Sequence, residues 1–347
     1  MSLSHVARRR ALVLVAPLVL VLASCGSGGS GGSAEESDAG STSFEPVTIK
    51  HAFGETTIEA RPERVVSWGW ASADASIALG VTPVAMPKFS YGANDAGLMP
   101  WTAEALRAKG SKTPTLLSES QEAPFEEIAE AAPDVILANY SGITKKEYDT
   151  LSKIAPTVAY PKVPWSTPWR DVITTTGKVL GKSEEARRLL DDIDAEVSAA
   201  AKEHPEFQGQ SVAAVAVDPS AFYVYKGADP RVQFLEDLGF TLAPSVDKLA
   251  TDESSFFYTL SLENLDQLES DVLVSYSETE QRAKEVVNSE PLQVMPQVQN
   301  DTVATIIGEA NVSSVSPPTA LSLTWSLDDF VSELSEAAKT AQSAQAD

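Results

Sequence analysis

The sequence predicts an α/β fold in which two similar lobes are joined by one long helix. Three observations carry that prediction. Strand-like and helix-like segments alternate along most of the chain, the pattern of a layered, largely parallel sheet. A short signature occurs twice: Glu126 and Ile128 followed by Asp134-Val135-Ile136-Leu137, then Glu263 and Leu265 followed by Asp271-Val272-Leu273-Val274. Glutamate and aspartate are eight residues apart in both copies, and a tyrosine closes each apolar run, Tyr140 and Tyr276. Each copy holds the corresponding place in its own series of elements, as two lobes of similar construction require. Between the series lies "GKSEEARRLLDDIDAEVSAAAKEHPEF", an amphipathic stretch of unusual length.

In chain order, "TIKHAFGETTIEARPERVVSWGW" alternates and is rich in β-branched residues, with turn punctuation at Gly54 and Arg61-Pro62. It predicts a hairpin and then a strand at Val65 to Trp68. "SADASIALGV" follows as a short helix and "TPVAMP" as the next strand, then "DVILAN" (Asp134 to Asn139) and "TVAY" (Thr157 to Tyr160), each after a helical stretch. In the connecting stretch, Ala186, Leu189, Leu190, Ile193 and Val197 recur at helical spacing. Glu184 and Glu185 suit a helix N-terminus and Pro205 ends it. Roughly 20 helical residues span about 30 Å, enough to run from one lobe to the other. The second series comprises the strand "SVAAVAVD" (Ser211 to Asp218), the helix "RVQFLEDLGF" (Arg231 to Phe240), the strands "DVLVSY" (Asp271 to Tyr276) and "TVATII" (Thr302 to Ile307), and the closing helix "SLDDFVSELSEAA".

The domain reading is therefore 1–24 leader, 25–43 tether, 44–181 first lobe, 182–204 bridging helix and 205–347 second lobe. With 347 residues the chain can bury a real core. A formal net charge of −23 excludes a general nucleic-acid binder, because phosphate backbones need a basic surface. One cysteine excludes a disulfide framework. "GKVLGKS" has three residues between its glycines where a phosphate-binding loop needs four, and no HExxH, GxSxG or Cys–His pair occurs, so no enzyme chemistry is assembled. The three histidines, His5, His51 and His204, form no metal-ligand spacing, and no cofactor is expected.

At the N-terminus, Arg8, Arg9 and Arg10 precede the apolar run Ala11 to Ala23, too short for a comfortable membrane span and apt for a signal peptide. "LASC" resembles the lipobox of bacterial lipoproteins. That resemblance implies cleavage before Cys25, lipidation of its sulfur, and residence on the outer face of the cytoplasmic membrane, held by the lipid alone. Cleavage removes three arginines and no acids, leaving a still more acidic protein. The Gly/Ser-rich stretch to Ser43 reads as a flexible tether.

The folded part resembles a class III substrate-binding protein of an ABC importer, of the iron-siderophore and vitamin B12 type. The residues carrying the resemblance are "RVVSWGWASADASIALGVTPVAM", "PFEEIAEAAPDVILANY", "LGKSEEARRLLDDI", "LENLDQLESDVLVSY" and "LTWSLDDFVSEL", in that order from Phe44 to about Ala341. It implies the class III periplasmic-binding-protein-like fold: two Rossmann-like lobes joined by one long bridging α-helix, a ligand in the cleft between them, and a monomer that works with a permease and its ATPase. The stiff connection implies only modest closure.

Aromatics gather at predicted strand ends and loops: Trp68, Trp70, Tyr91, Tyr140, Trp165, Tyr223, Tyr225, Tyr276 and Trp325. Such rings offer broad contact area at low entropy cost and suit an amphipathic ferric chelate; the competing reading for each is core or lobe-interface packing. Arg231, and less centrally Arg170, are the guanidinium candidates for an anionic ferric siderophore, with a surface charge as the alternative. An electroneutral, ferrioxamine-like chelate would need neither. Haem or cobalamin as ligand, or a non-transport ligand-sensing lipoprotein, are the other functions the resemblance leaves open. Glu126 and Glu263 match the family positions that meet arginines of the permease, and the internal repeat selects the same two residues.

Overall fold

The computed structural model describes residues 44–218, 221–250 and 255–346; the leader, the tether and Cys25 lie outside the described residues. A hairpin opens the fold, β1 (Val47–His51) against β2 (Gly54–Ile58). The first lobe is a five-stranded sheet of β3 (Val65–Ser67), β4 (Ala85–Pro87), β5 (Thr115–Leu117), β6 (Val135–Ala138) and β7 (Thr157–Ala159), all parallel and ordered β5-β4-β3-β6-β7. Its helices are α1 (Ser72–Ala78), α2 (Pro100–Ala108), α3 (Phe125–Glu130), α4 (Lys145–Leu151) and α5 (Trp169–Val179). The bridge is α6 (Ser183–Glu203).

The second lobe contains β8 (Ser211–Asp218), β9 (Ala221–Tyr225), β10 (Thr241–Leu242), β11 (Phe257–Leu260), β12 (Val272–Ser277) and β13 (Val303–Ile307). Their order is β11-β9-β8-β12-β13, with β10 also on β8; β10, β12 and β13 join in parallel, whereas β9 and β11 are antiparallel. The helices are α7 (Pro230–Asp237), α8 (Pro244–Leu249), α9 (Glu280–Val287), α10 (Pro296–Gln299), α11 (Glu309–Ser314) and the long α12 (Ser322–Ala346). The antiparallel β9–β11 edge departs from the parallel reading of this half. β8 and β9 follow each other in the chain and pair antiparallel, Asp218 against Ala221, whereas a parallel neighbour would need a crossover.

The central strands are apolar on both faces, as a sheet covered on both sides requires. Val65, Val135 and Leu137 join one cluster, while Val66, Ile136 and Ala138 on the opposite face join another. The first cluster continues through Ala186, Ile193 and Val197 of α6 into Val212, Val272, Phe234 and Leu334 of the second lobe, so the bridge shares a core with both lobes. Arg170 belongs to this joint. From α5 it donates to Asp194 of α6 at 2.6 and 3.0 Å and to Asp237 of α7 at 2.8 Å. Its donors point to those two carboxylates, so the anion-contact reading of Arg170 gives way to a role in the joint.

The repeated aspartates have a common structural cause. Asp134 accepts from the backbone N–H groups of Glu63 and Arg64 just ahead of β3, at 2.7 and 3.0 Å. Asp271 accepts from the N–H and hydroxyl of Ser211, the first residue of β8, both at 2.7 Å. In each lobe the aspartate before one strand therefore sets the start of the neighbouring central strand. The helical element before the second aspartate, Leu262–Gln267, is a 3-10 helix; Ser261, the residue just ahead of it, caps it by accepting from the Glu263 backbone N–H at 3.4 Å.

Glu206 fastens the end of the bridge to α12. It accepts from Ser335, from His204 at 3.0 Å, and lies 3.5 Å from Lys339. Burial alone would raise its pKa, but the hydrogen bonds from Ser335, its own backbone and His204, with the charge of Lys339, hold it down at about 2. The stability it confers is complete above the ordinary glutamate range and is lost as pH falls toward 2. Glu206→Gln should cost about 1–2 kcal/mol at neutral pH. In urea denaturation the gap between wild type and variant should shrink between pH 7 and pH 3; a gap independent of pH would contradict this assignment.

Candidate functional site

In the first lobe the chain runs from β3 outward through β4 to β5, then returns to the other side of β3 as β6. The crevice at the carboxyl ends of strands beside such a reversal is where open α/β sheets bind ligands. A cavity of about 580 Å³ lies there, within the range of small-molecule sites. Its wall takes Trp68, Gly69 and Trp70 from the end of β3, Pro87, Lys88 and Phe89 from β4, Glu119 to Gln121 after β5, and Tyr140 and Gly142 after β6. The second lobe supplies Pro230 and Arg231 from the start of α7, Phe256 ahead of β11, and Ser316 and Pro317 after α11.

Close backbone approach makes the crevice. Gly69 has φ +96°, and a Cβ there would sit 2.3 Å from the Tyr140 carbonyl oxygen. Trp68 and Trp70 donate their backbone N–H groups to the carbonyls of Leu137 and Tyr140 at 2.8 and 2.9 Å, locking the β3 exit over the β6 exit. Buried Asn139 ties that point to its surroundings, accepting from Ser72 at 2.7 Å and donating to the Val172 carbonyl at 3.2 Å. The loop after β7 folds back over it. Thr167 donates to the Asn139 carbonyl, Trp165 donates its backbone N–H to Ser141, and Tyr140 Oη donates to the Trp165 carbonyl, at 2.7, 3.2 and 2.9 Å. Trp165 is thereby held at φ +58°, its indole against Gly142, where a Cβ would collide with it. Rings meet edge-on around the opening: Trp70 with Phe89 at 5.9 Å and with Trp165 at 6.3 Å, and Tyr140 with Trp165 at 6.0 Å. Trp70 is 38 % exposed, an aromatic presented to whatever enters.

Facing these rings is one guanidinium. Arg231 donates Nε and Nη2 to the two carboxylate oxygens of Asp229 at 2.8 and 2.7 Å and Nη1 to Ser316 Oγ at 2.7 Å. Its plane lies over Tyr225, 3.5 Å from the ring centre. Asp229 also caps α7 by accepting from the Arg231 backbone N–H at 2.8 Å. The Asp229 side chain is fully buried and that of Arg231 14 % exposed. Burial disfavours the arginine's charge, but the neighbouring Asp229 carboxylate overrides it and raises the guanidinium's pKa. These bonds take three of the five N–H donors, and Tyr225 makes a further side-chain hydrogen bond with the guanidinium. Tyr140, Tyr225 and Tyr276 surround the pair, and burial first of all pushes their hydroxyl pKa values up, so they stand neutral. The tyrosines that close the two sequence repeats thus meet at one ion pair. With Arg231 matched by Asp229, the formal charges left on the wall are Lys88 against Glu119 and Glu147, an excess of one acid. Glu147 is itself spent on the N–H groups of Ala123 and Thr144 at 3.0 and 2.7 Å.

Of the residues singled out in the sequence, Trp68, Trp70, Tyr140, Trp165 and Arg231 come together on the cavity wall. Tyr225 and Tyr276 lie directly behind Arg231, their rings 6.2 Å apart. Three others lie elsewhere. Tyr91 sits at the seam of the lobes, its pKa raised by burial and then by Glu278 and Glu309. Tyr223 packs edge-on against Phe257. Trp325, on α12, packs against Trp101 of α2 at 5.4 Å. Glu126 and Glu263 are exposed, each in the first turn of its helical element. Lys88, Phe89 and Glu119 to Gln121 escaped the sequence reading although they follow parallel strands as Trp68 does. β5, three residues flanked by polar loops, has too little pattern to announce itself. Phe256, Ser316 and Pro317 arrive through tertiary contacts alone. Among the described residues no group of three or more His, Cys, Asp or Glu side chains is placed to hold a metal ion, and no helix is long and apolar enough to cross a membrane.

Known proteins share this construction. The family pattern described as "Periplasmic binding protein" matches residues 65–310. A probable siderophore-binding lipoprotein of Bacillus subtilis, YfiY, is 29 % identical over 273 residues, spanning 77 % of this chain and 78 % of the relative. Among solved structures, PiaA of Streptococcus pneumoniae in complex with ferrichrome is 34 % identical with a TM-score of 0.79, covering 85 % of this chain and 99 % of that one. A periplasmic solute-binding protein from Mycobacterium smegmatis is 26 % identical with a TM-score of 0.70, covering 84 % and 99 %. With the matched region spanning both lobes and the bridge, the chain belongs to the periplasmic binding protein family.

Proposed function

We propose that this protein captures a ferric siderophore in the inter-lobe cavity and delivers it to an ABC permease, performing no covalent chemistry itself. The observation that carries this reading is the cavity wall: aromatic rings from several strand ends facing one fixed guanidinium, shared between two lobes on a stiff joint. Rings cover the apolar skirt of a chelate, and the guanidinium of Arg231 on the wall suits the chelate's oxygen atoms. The siderophore-binding name of YfiY and the ferrichrome in the PiaA complex support the same ligand class.

The charge pattern narrows the class. Arg231 is already neutralised by Asp229, and the two remaining wall acids, Glu119 and Glu147, outnumber Lys88, so the site brings no net positive charge to an anion. An electroneutral ferric trihydroxamate fits this balance better than a trianionic tris-catecholate, which would also approach a chain of formal charge −23. The iron travels as cargo inside its chelate. A monomer anchored through lipid on Cys25, outside the cytoplasm, completes the proposal, with exposed Glu126 and Glu263 docking one on each lobe to basic groups of the permease.

Titration of intrinsic fluorescence separates the candidate ligands, because Trp68, Trp70 and Trp165 line the cavity. Ferrichrome, an electroneutral ferric trihydroxamate, should quench it saturably, and haem and cobalamin should not. Absence of quenching and of calorimetric heat with every ferric siderophore would overturn the reading. Charge reversal at both docking positions, Glu126→Lys with Glu263→Lys, should abolish uptake of radiolabelled iron by cells while leaving affinity within about twofold, a difference of under about 0.5 kcal/mol. Normal uptake by that double variant would remove these residues from docking.

A further inference from the structure

Residues 315–321, between α11 and α12, run along the seam of the two lobes and do two things a few residues apart. Ser316 and Pro317 line the cavity, and Ser316 Oγ accepts the Arg231 Nη1 hydrogen at 2.7 Å. Thr319 Oγ1 donates across the seam to Asp74 Oδ2 of α1, also at 2.7 Å, and accepts from the backbone N–H groups of Leu321 and Ser322 at the start of α12, at 3.3 and 3.0 Å. Ser322 closes the turn by accepting from the Thr319 backbone N–H at 2.9 Å and donating to the Ser314 carbonyl.

Asp74 is built to hold this contact. It is 6 % exposed, and besides Thr319 it accepts from Trp101 Nε1 and Thr102 Oγ1 of α2, each at 2.7 Å. Three donors offset part of the cost of burying this carboxylate, although burial still raises its pKa. They also leave it a single position between α1, α2 and the segment from the other lobe. The ligand-site chemistry described above uses none of these groups.

We propose that Asp74 and Thr319 are positioning residues for ligand binding: their bond pins the second lobe's Ser316–Pro317 segment to the first lobe, and that segment holds the Arg231 guanidinium in its cavity-facing pose. A residue distant from the ligand thus sets the geometry of the one guanidinium that faces it. The inference rests on the cavity being the binding site.

A double-mutant cycle tests it. Thr319→Val, nearly isosteric, removes the donor to Asp74; Ser316→Ala cuts the link to Arg231. Each should weaken ferrichrome binding about tenfold, and the pair should weaken it much less than the hundredfold of independent effects. Thr319→Ser, which keeps the hydroxyl, should restore affinity to within about twofold. Melting curves check folding, and if Thr319→Val cannot be purified, Asp74→Asn takes its place in the cycle. Amide exchange at Val315 and Ser316 of the ligand-free protein gives a readout independent of any ligand: Thr319→Val should accelerate it and Thr319→Ser should not. Multiplicative losses, or unchanged affinity in Thr319→Val, would overturn the positioning role. Unchanged exchange at the segment would overturn it even if the wild type failed to bind ferrichrome, a failure that would count separately against the choice of ligand.

Discussion

A guanidinium buried where two lobes meet must carry its counter-charge with it, because an unpaired ion out of water costs several kcal/mol. Asp229 meets that requirement here, and much of the site follows from how it does so. As the cap of α7 it fixes the helix start, and as a bidentate acceptor it fixes the plane of Arg231 over Tyr225. The remaining donors then point in set directions, one of them to Ser316. The pair is neutral as a unit, and Tyr140 and Tyr276 approach it from opposite lobes with hydroxyls that burial keeps protonated. Shape, hydrogen bonding and ring contact are left to select the ligand, with no net attraction for an anion.

The pair is held within the second lobe, but what faces it depends on the relative placement of the lobes, which is over-determined. One apolar cluster passes through α6 into both lobes, Arg170 joins α5, α6 and α7, and Asp74 receives Thr319 across the seam. A hinge with that many ties moves little, in keeping with a binder that offers a largely formed cavity. The ties near the cavity are polar and few, while those along the bridge are apolar and many. Small rocking about the bridge would therefore be felt first at the Thr319 and Ser316 contacts.

Much of the fold was legible because periodicity reports burial. The strand at Ser211 to Asp218 and the helix ending before Pro205 read directly, since a strand buried on both faces and a long amphipathic helix have strong patterns. The twin Glu and Asp signature read as repetition, and its reason is the repeated bond from the aspartate to the start of a central strand. The antiparallel β9–β11 edge did not read, because its partners are chosen by tertiary contact. At the site, Trp70, Tyr140 and Arg231 stood out as aromatics and a charge at strand and helix ends. Tyr223 and Trp325 had the same local appearance yet pack elsewhere, on Phe257 and Trp101. Residue type and strand ends mark candidates; which of them share a cavity is decided by strand order. Asp229, the partner that changes the meaning of Arg231, was not among the residues the sequence singled out.

The central claim is that a charge-balanced arginine makes this a site for electroneutral chelates, and competitive calorimetry at two ionic strengths tests it most directly. At low salt, ferrichrome should bind at least about tenfold more tightly than a trianionic ferric tris-catecholate, about 1.4 kcal/mol. That gap should narrow as added salt screens the repulsion between the anion and the acidic protein. Tighter binding of the tris-catecholate, weakening as salt is added, would mean that the site attracts anions and that Asp229 does not neutralise Arg231 in the way described.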